Sequence, residues 1–519
     1  MIRNKFKNSF QRLLSSKSSQ WEPAKGFDSK IKVFNSIVKE QVPLVLKNEQ
    51  RFATFYTCGP TVYDSSHIGH ASCYMKLDII QRILKDYFQI DLITAMNITD
   101  IDDKIIKRSE EKGISWSEIS RKYENEFWDD LDKLNIRKPD IRIRVTEHIL
   151  KIVSFIEKLV NDGHAYVGTD QSVYFKVSSY PNYGKLQNIV LDNKIVPHKS
   201  SSADFALWKA KKQPNEPCWS SPWGEGRPGW HIECSSLASH LFGDTIDFHA
   251  GGLDLRFPHH ENEDAQSCAF HCKPQWINNW LHIGQLLIKG ETEKMSKSLK
   301  NTISIDEMLE KYSPDTFRMA CVLSNYRNTM EYGDEMMETA KFTNSKFNAF
   351  KITCEDYLNG NARSNNQENV DPEQILKKFQ ENKDQIDECL RCDFDTAKVM
   401  TVLSELTKST SSILKYNFKN QSSYQSSYVD VIGPIYKYTE KMFETFGFRE
   451  KSSIVSQDDN LVNLVEDLLK LRMDLRAEAI STKNKQLFKV CDSLRDSLKK
   501  NGVNIKDYSD QSSWSFNKK

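Results

Sequence analysis

Apolar residues recur along the chain in two rhythms. FATFYTC at 52–58 and DLITAMNIT at 91–99 are short, nearly continuous apolar runs. Such runs predict strands buried on both faces, because a covered strand has no polar side. Between them, YMKLDIIQRIL at 74–84 repeats its apolar residues at helical spacing and predicts a helix. Strands alternating with longer helices predict a parallel α/β sheet. Its nucleotide crevice is expected beyond the C-terminal ends of the strands. Residues 123–245 read as an insertion, with a strand at VYFKV, 173–177, and fixed turns where Pro, Gly and Trp gather near 214–230. The α/β pattern resumes around 246–294. After the polar stretch NARSNNQENV at 361–370, an expected connector, Leu-rich patterns such as LVNLVEDLLKLRMDL at 461–475 predict a helical C-terminal region. No internal repeat or heptad pattern alters this picture.

Composition narrows the classes. A chain of 519 residues with 39% hydrophobic content supports two to four compact domains. Mean hydropathy is −0.60, and no apolar run reaches the roughly 20 residues of a membrane span. The net charge of +1 neither establishes nor excludes nucleic-acid binding, since local basic surfaces decide that. Residues 471–519 carry eleven Lys/Arg against six Asp/Glu, which suits an RNA surface or a solvated helical face equally. Eleven cysteines cannot all pair internally, and no secretory hydrophobic core precedes the fold, so reduced thiols or metal ligands are expected. In the first 21 residues, Arg3, Lys5, Lys7, Arg12 and Lys17 meet no acid before Glu22. On a helix Phe6, Phe10, Leu13 and Leu14 would share a face. This basic amphipathic form predicts a mitochondrial presequence, with a plain basic extension as the alternative.

Two short motifs carry candidate phosphate chemistry. In His67-Ile68-Gly69-His70, the glycine permits close approach of the backbone to a nucleotide. The adjoining helix start offers N–H groups and a favourable dipole to phosphate, and His67 and His70 can donate to a polyphosphate. In Lys294-Met295-Ser296-Lys297-Ser298, closely spaced ammonium and hydroxyl groups can cover a triphosphate while pyrophosphate leaves. Either motif alone is compatible with an ordinary helix start or basic loop. Together and in this order they resemble the class I aminoacyl-tRNA synthetases. That resemblance implies ATP held between the motifs with Mg2+ on its phosphates. It makes His67, His70, Lys294 and Lys297 the expected catalytic groups, with Gly69, Met295, Ser296 and Ser298 shaping the nucleotide loops.

Candidate metal ligands lie far apart. Cys58 precedes the first motif, Cys234 falls in WHIECS, and His259 and Glu263 sit four residues apart in FPHHENEDAQS, a spacing that puts them on one helical face. Sulfur, nitrogen and oxygen donors suit zinc. Spacing alone leaves each of the four an ordinary buried or local role. It also leaves His260 competing with His259, and Cys268 or Cys272 as a separate local candidate.

The longer segments CGPTVYDSSHIGH, NITDIDDKII, GRPGWHIECS and FPHHENEDAQ resemble the cysteinyl-tRNA synthetase family. The resemblance covers essentially the whole catalytic region and continues less distinctively beyond it. It implies one Zn2+ per subunit on Cys58, Cys234, His259 and Glu263, binding the substrate thiolate, with Thr99, Trp230 and Asp254 around the amino acid. HAGGLDL departs from the family where Ala250 replaces a common glycine, and CVLSNYRNTMEY at 321–332 is less typical. The implied architecture is a Rossmann-like parallel-sheet catalytic domain with a connective insertion and a C-terminal helical anticodon-binding domain. The expected bounds are 1–25 for the transit peptide, 26–122 and 246–325 for the two catalytic parts, 123–245 for the insertion and 326–519 for the tRNA-binding region. The expected activity is ATP-dependent activation of L-cysteine and charging of tRNA-Cys, read at its GCA anticodon, by a monomer in the mitochondrial matrix. Trp514 is placed either on RNA or in a core. Relatives imply a side activity, persulfide formation with pyridoxal phosphate at Lys104, Lys107, Lys294 or Lys297. The alternatives are a ligase passing activated cysteine to a small amine and a noncatalytic RNA-binding protein. Charging of tRNA-Cys against small amines separates the first, and cysteine-dependent ATP–pyrophosphate exchange the second.

Overall fold

A computed structural model of the chain describes residues 21–189, 194, 196–291, 295, 301–359, 371–414, 428–449, 459–507 and 512–516. Leader residues 1–20, the connector expected at 361–370, and Lys294, Ser296, Lys297 and Ser298 lie outside the described residues.

The chain opens with an antiparallel pair, β1 (Asp28–Asn35) and β2 (Glu40–Val45). There follow β3 (Phe52–Thr57), α1 (Ile68–Arg82) with a π-turn over Ile83–Tyr87, and β4 (Asp91–Ile98). Next come α2 (Asp103–Lys112), α3 (Trp116–Lys133), β5 (Ile141–Arg144) and α4 (Ile149–Asn161). Four short strands succeed them: β6 (Ala165–Val167), β7 (Val173–Phe175), β8 (Phe205–Ala210) and β9 (Gly226–Pro228). Then α5 (Trp230–Phe242), β10 (Ile246–Gly252), α6 (Glu261–His271) and β11 (Ile277–Ile283) complete the main layer. A small pair, β12 (Leu286–Ile288) and β13 (Met330–Tyr332), flanks α7 (Ile305–Lys311) and α8 (Pro314–Val322) in sequence. The remaining helices are α9 (Asp334–Leu358), α10 (Pro372–Arg391), α11 (Thr396–Ile413), α12 (Val429–Thr445), α13 (Asp459–Thr482) and α14 (Lys485–Lys500). A hairpin of β14 (Val503–Asp507) and β15 (Ser512–Phe516) follows them.

These elements form two compact units. The first takes the described residues through Pro314 with 320–337 and 388–397, and the second takes 315–319, 338–387 and the described residues from 398 onward.

The first unit is built on a five-stranded sheet in the order β11-β10-β3-β4-β5, with every neighbouring pair parallel. The chain moves outward from β3 through β4 to β5, then crosses back to β10 and on to β11. The reversal falls between β3 and β10, the place where open α/β sheets leave a crevice at their C-terminal edge. The sheet extends past residue 122, because β5 pairs with β4 from Ala95↔Ile141 to Ile98↔Arg144. Its sequence, IRIR, lies at the sheet edge and alternates with charge, so it lacks the apolar run that marks the central strands. A separate antiparallel sheet, β6-β7-β8-β9, occupies part of the expected insertion. One hydrophobic cluster nevertheless joins both sheets, including Tyr56, Ala95 and Ile277 from the first and Val173, Phe175 and Trp208 from the second. The insertion therefore shares a core with the nucleotide-type sheet.

In the second unit, Phe350, Cys354, Leu406, Ile432 and Ile435 belong to one helical core. Val465, Leu469, Leu498 and Val503 form another, and Trp514 packs against it, which is the anchoring role rather than an open stacking face. Arg472 donates to both Asp507 oxygens, at 2.5 and 2.9 Å, and ties the hairpin to α13. All eleven cysteines are free thiols. Among the described residues, no helix is long and apolar enough to cross a membrane.

Candidate active site and metal centre

The first motif caps a helix. His67 is the N-cap of α1, and its Nδ1 accepts from the Gly69 N–H at 3.1 Å. The His67 and His70 rings stack with centroids 3.8 Å apart. A Cβ on Gly69 would lie 2.8 Å from the His67 ring and 3.3 Å from Met295 Cε. A side chain at 69 would therefore have to shift the capping histidine, in addition to meeting any approaching phosphate. Met295, the described residue of the second motif, is buried and lies over the first. Farther along that segment, Ile303 O accepts from Ile68 N–H at 3.0 Å, and Ser304 bridges to His67.

Beside this edge the expected metal ligands converge. Cys58 follows β3, and its backbone is held on both sides: its N–H donates to Ala250 O at 3.0 Å, and its carbonyl accepts from Tyr74 OH at 3.3 Å. Ala250 is a fully buried strand residue paired with Thr57, so its methyl sits in the sheet core. Cys234 lies one turn into α5, with its Sγ 3.7 Å from that of Cys58. Glu263 lies in the first turn of α6, with Oε1 3.5 Å from Cys58 Sγ and 3.1 Å from His259 Nε2. Cys58, Cys234, His259 and Glu263 thus place four ligand atoms within 4.8 Å of one another, all on buried residues.

A second quartet overlaps the first. His249 and His260, with Cys58 and Glu263, meet the same 4.8 Å condition. Their Nε2 atoms each lie 3.4 Å from Cys58 Sγ. His249 on β10 stands opposite Tyr56 of β3, two residues before Cys58, and this approach across adjacent strands has no local sequence signal. The two imidazoles ahead of α6 differ in their outer partners. His259 Nδ1 meets His231 Nδ1 at 2.9 Å, while His260 Nδ1 meets His282 Nε2 at 3.0 Å and His282 Nδ1 meets Ser36 Oγ at 3.0 Å.

Electrostatics favour a cation here. Burial pushes the Cys58 thiol well above its ordinary range, and the Cys234 thiol up to about 11. Burial also pushes the His259 and His260 imidazoles well below theirs, so neither supplies positive charge near neutral pH. Glu263 is completely buried among these groups. A buried carboxylate without a cation is costly, and the two thiols, imidazole and carboxylate form a donor set that suits Zn2+. This Cys/His/Glu cluster is consistent with a zinc-binding site.

The residues expected around the amino acid take different places. The Trp230 ring lies against His259, with centroids 4.3 Å apart, and remains 38% exposed. Thr99 is buried and donates to Glu233 Oε2 at 2.8 Å. Asp254 lies in an exposed turn directly after β10. Cys268 and Cys272 form no metal group among the described residues. Cys268 is instead 3.7 Å from the Lys185 ammonium.

Comparisons with known proteins bear on the whole chain. The family described as "tRNA synthetases class I (C) catalytic domain" matches residues 44–342. A probable mitochondrial cysteine–tRNA ligase of Xenopus tropicalis is 39% identical over 95% of this chain and 91% of its own length. A cytoplasmic cysteine–tRNA ligase of Dictyostelium discoideum is 40% identical over 96% of this chain and 80% of its own length. In fold, the chain is similar to the leucyl-tRNA synthetase of Agrobacterium radiobacter K84 in its ternary complex, with a TM-score of 0.55 at 8% identity over 85% of this chain and 87% of that one.

Proposed function

We propose, from the premise that the chain belongs to the cysteine–tRNA ligase family of the class I aminoacyl-tRNA synthetases, that the crevice beside β3 and β10 is where cysteine is activated and passed to tRNA. ATP, L-cysteine and tRNA-Cys are the partners. The observation that carries the reading is the convergence of Cys58, Cys234, His259 and Glu263 next to the helix capped by His67.

When bound by those four residues, zinc supplies a soft Lewis acid that prefers a thiolate to a neutral hydroxyl. Cysteine and serine differ at that one atom, and each 1.4 kcal/mol or so of preference gives tenfold discrimination. Of the two overlapping quartets, the one containing Cys234 and His259 is assigned to the metal, because Trp230 covers His259 and gives the amino acid an aromatic wall. Thr99 and Asp254 orient the rest of the substrate. Its carboxylate attacks the α-phosphoryl group of ATP, forming cysteinyl-adenylate and releasing pyrophosphate. The terminal ribose hydroxyl of tRNA then attacks the activated carbonyl and releases AMP. No side chain is assigned as a general base, and orientation with phosphate stabilisation carries both steps. His67 and His70 would meet the nucleotide with Gly69 and Met295, while Lys294 and Lys297, with Ser296 and Ser298 shaping their loop, would stabilise the leaving pyrophosphate, whose charge Mg2+ would also offset.

Residues 326–519 bind tRNA in this reading. The basic leader and the mitochondrial relative support placement in the mitochondrion, in its matrix. A pyridoxal phosphate side activity would use Lys104, Lys107, Lys294 or Lys297. Uptake of that cofactor by the purified chain tests it.

The main test measures ATP–pyrophosphate exchange and tRNA-Cys charging with cysteine and with serine, alongside zinc content. Cysteine-dependent turnover and zinc loss in Cys234→Ser and His259→Asn, with zinc kept in His249→Asn, are expected. Exchange that proceeds in a zinc-free protein would overturn the metal assignment.

A further inference from the structure

We propose that Asn97 is a positioning residue for the cysteine pocket, holding together the two segments that carry Cys58 and Cys234. The inference rests on the cysteine-ligase reading above and goes beyond the residues that reading names.

Asn97 lies near the C-terminal end of β4, with both faces of its amide in use. Its Oδ1 accepts from the Gly59 N–H at 2.9 Å, and its Nδ2 donates to Thr99 Oγ1 at 3.3 Å. The orientation is dictated by the partners, because a backbone N–H can only donate and so must face the oxygen. Thr99 in turn gives its hydroxyl proton to Glu233 Oε2 at 2.8 Å. Gly59 directly follows Cys58, and Glu233 directly precedes Cys234. One amide therefore links the neighbours of two thiols that stand 176 residues apart in sequence.

The strand ends around this amide are already close. A Cβ on Gly59 would come within 1.6 Å of the Asn97 carbonyl oxygen. Thr99 N–H donates to Pro60 O at 3.1 Å, and Val62 N–H donates to Thr99 O at 3.2 Å. These bonds fix the Cys58 loop against β4, but they do not reach α5. The route from Asn97 through Thr99 to Glu233 does.

Asn97, Thr99 and Glu233 are all nearly inaccessible to solvent, so water is poorly placed to replace a lost partner. The network also sets what Thr99 can offer. With its proton on Glu233 and one lone pair on Asn97, the hydroxyl keeps only an acceptor site free. Aspartate at 97 would preserve the acceptor for Gly59 and lose the donor for Thr99. Alanine would lose both.

The test compares wild type, Asn97→Ala and Asn97→Asp as full chains, with zinc per chain after a chelator challenge, melting temperature, and KM for cysteine and for ATP in pyrophosphate exchange. Both variants are expected to raise the cysteine KM about tenfold and to lose zinc faster, with the ATP KM changed less than about twofold. That tenfold change is about 1.4 kcal/mol. Asn97→Asp keeps the Gly59 bond and so separates the Thr99 arm from any general loss of folding by Asn97→Ala. Unchanged cysteine KM and zinc retention in Asn97→Asp would overturn the proposal, whatever happens to melting temperature. A wild-type chain lacking cysteine-dependent exchange would instead sink the underlying reading, and the proposal with it.

Discussion

At the scale of single residues, the site depends on close contacts that leave little freedom. Gly69 is the sharpest case, since a methyl there would lie 2.8 Å from the His67 ring whose Nδ1 caps the helix. Gly69→Ala must displace the cap or shift Met295, so kcat/KM in pyrophosphate exchange should fall by about ten- to a hundredfold, equivalent to about 1.4–2.8 kcal/mol. Folding should change little, which a melting curve run beside the kinetics would check. The two histidines ahead of α6 make the opposite point. His259 and His260 are adjacent in sequence and both point a nitrogen toward Glu263, at 3.1 and 4.0 Å. Their distances to Glu263, their outer partners, their places in the two quartets and the ring of Trp230 tell them apart.

At the scale of elements, α6 is gripped by a segment of the insertion. Glu261 accepts backbone N–H groups from Gly184, Lys185 and Leu186 at 2.6, 3.0 and 2.8 Å. Tyr183 bonds to Asn262, and the Lys185 ammonium meets Asp264 and the Pro274 carbonyl at 2.7 and 2.8 Å. Burial works against that ammonium, but the charge and hydrogen bond of Asp264 outweigh it and raise its pKa. Breaking a buried pair by removing one partner costs about 3–5 kcal/mol. Lys185→Met should therefore lower the denaturant midpoint of the first unit clearly, and an unchanged midpoint would show that the grip does not bear load. A pH effect belongs to α3. Burial is the main cause raising Asp130 to about 6 from 3.8, against the opposing pull of Lys133. Between these values the unfolded chain releases a proton that the folded chain keeps. This group's contribution is present below about pH 4 and is lost as pH rises through about 6. Asp130→Asn should flatten that part of the melting-temperature profile between pH 4 and 7.

At the scale of the whole molecule, the chemistry belongs to the first unit, whereas the second is helical and ends in a chain segment with a positive excess. If that region binds tRNA, charging and exchange should respond differently to salt. Phosphate contacts release counterions, so affinity falls steeply between about 50 and 200 mM salt. The kcat/KM for tRNA should drop at least about tenfold over that range, while cysteine-dependent exchange changes by less than about twofold. Equal sensitivity of both reactions would assign the electrostatic effect to the nucleotide site. Charging with tRNA-Cys altered at its GCA anticodon provides the matching readout of recognition.

Local patterns in the sequence already determined the central strands β3 and β4 and the helix α1, because each is written within a short window, whereas the four ligand types were implied only by the resemblance of longer segments. The apolar run of β3 and the i,i+4 spacing of His259 and Glu263 needed no neighbours to be read. Tertiary structure alone decided what lies opposite what. It carried the sheet on to β5, whose charged alternation hides its place at the edge. It joined the insertion to the main core through Phe175 and Trp208, and it turned Trp514 inward. Above all, parallel pairing of β3 with β10 set His249 opposite Tyr56 and so within reach of Cys58, and the end of β4 met the first turn of α5 through Asn97, Thr99 and Glu233. Contacts of that kind arise from strand register and helix packing, which bring residues together without leaving a spacing that the chain can display.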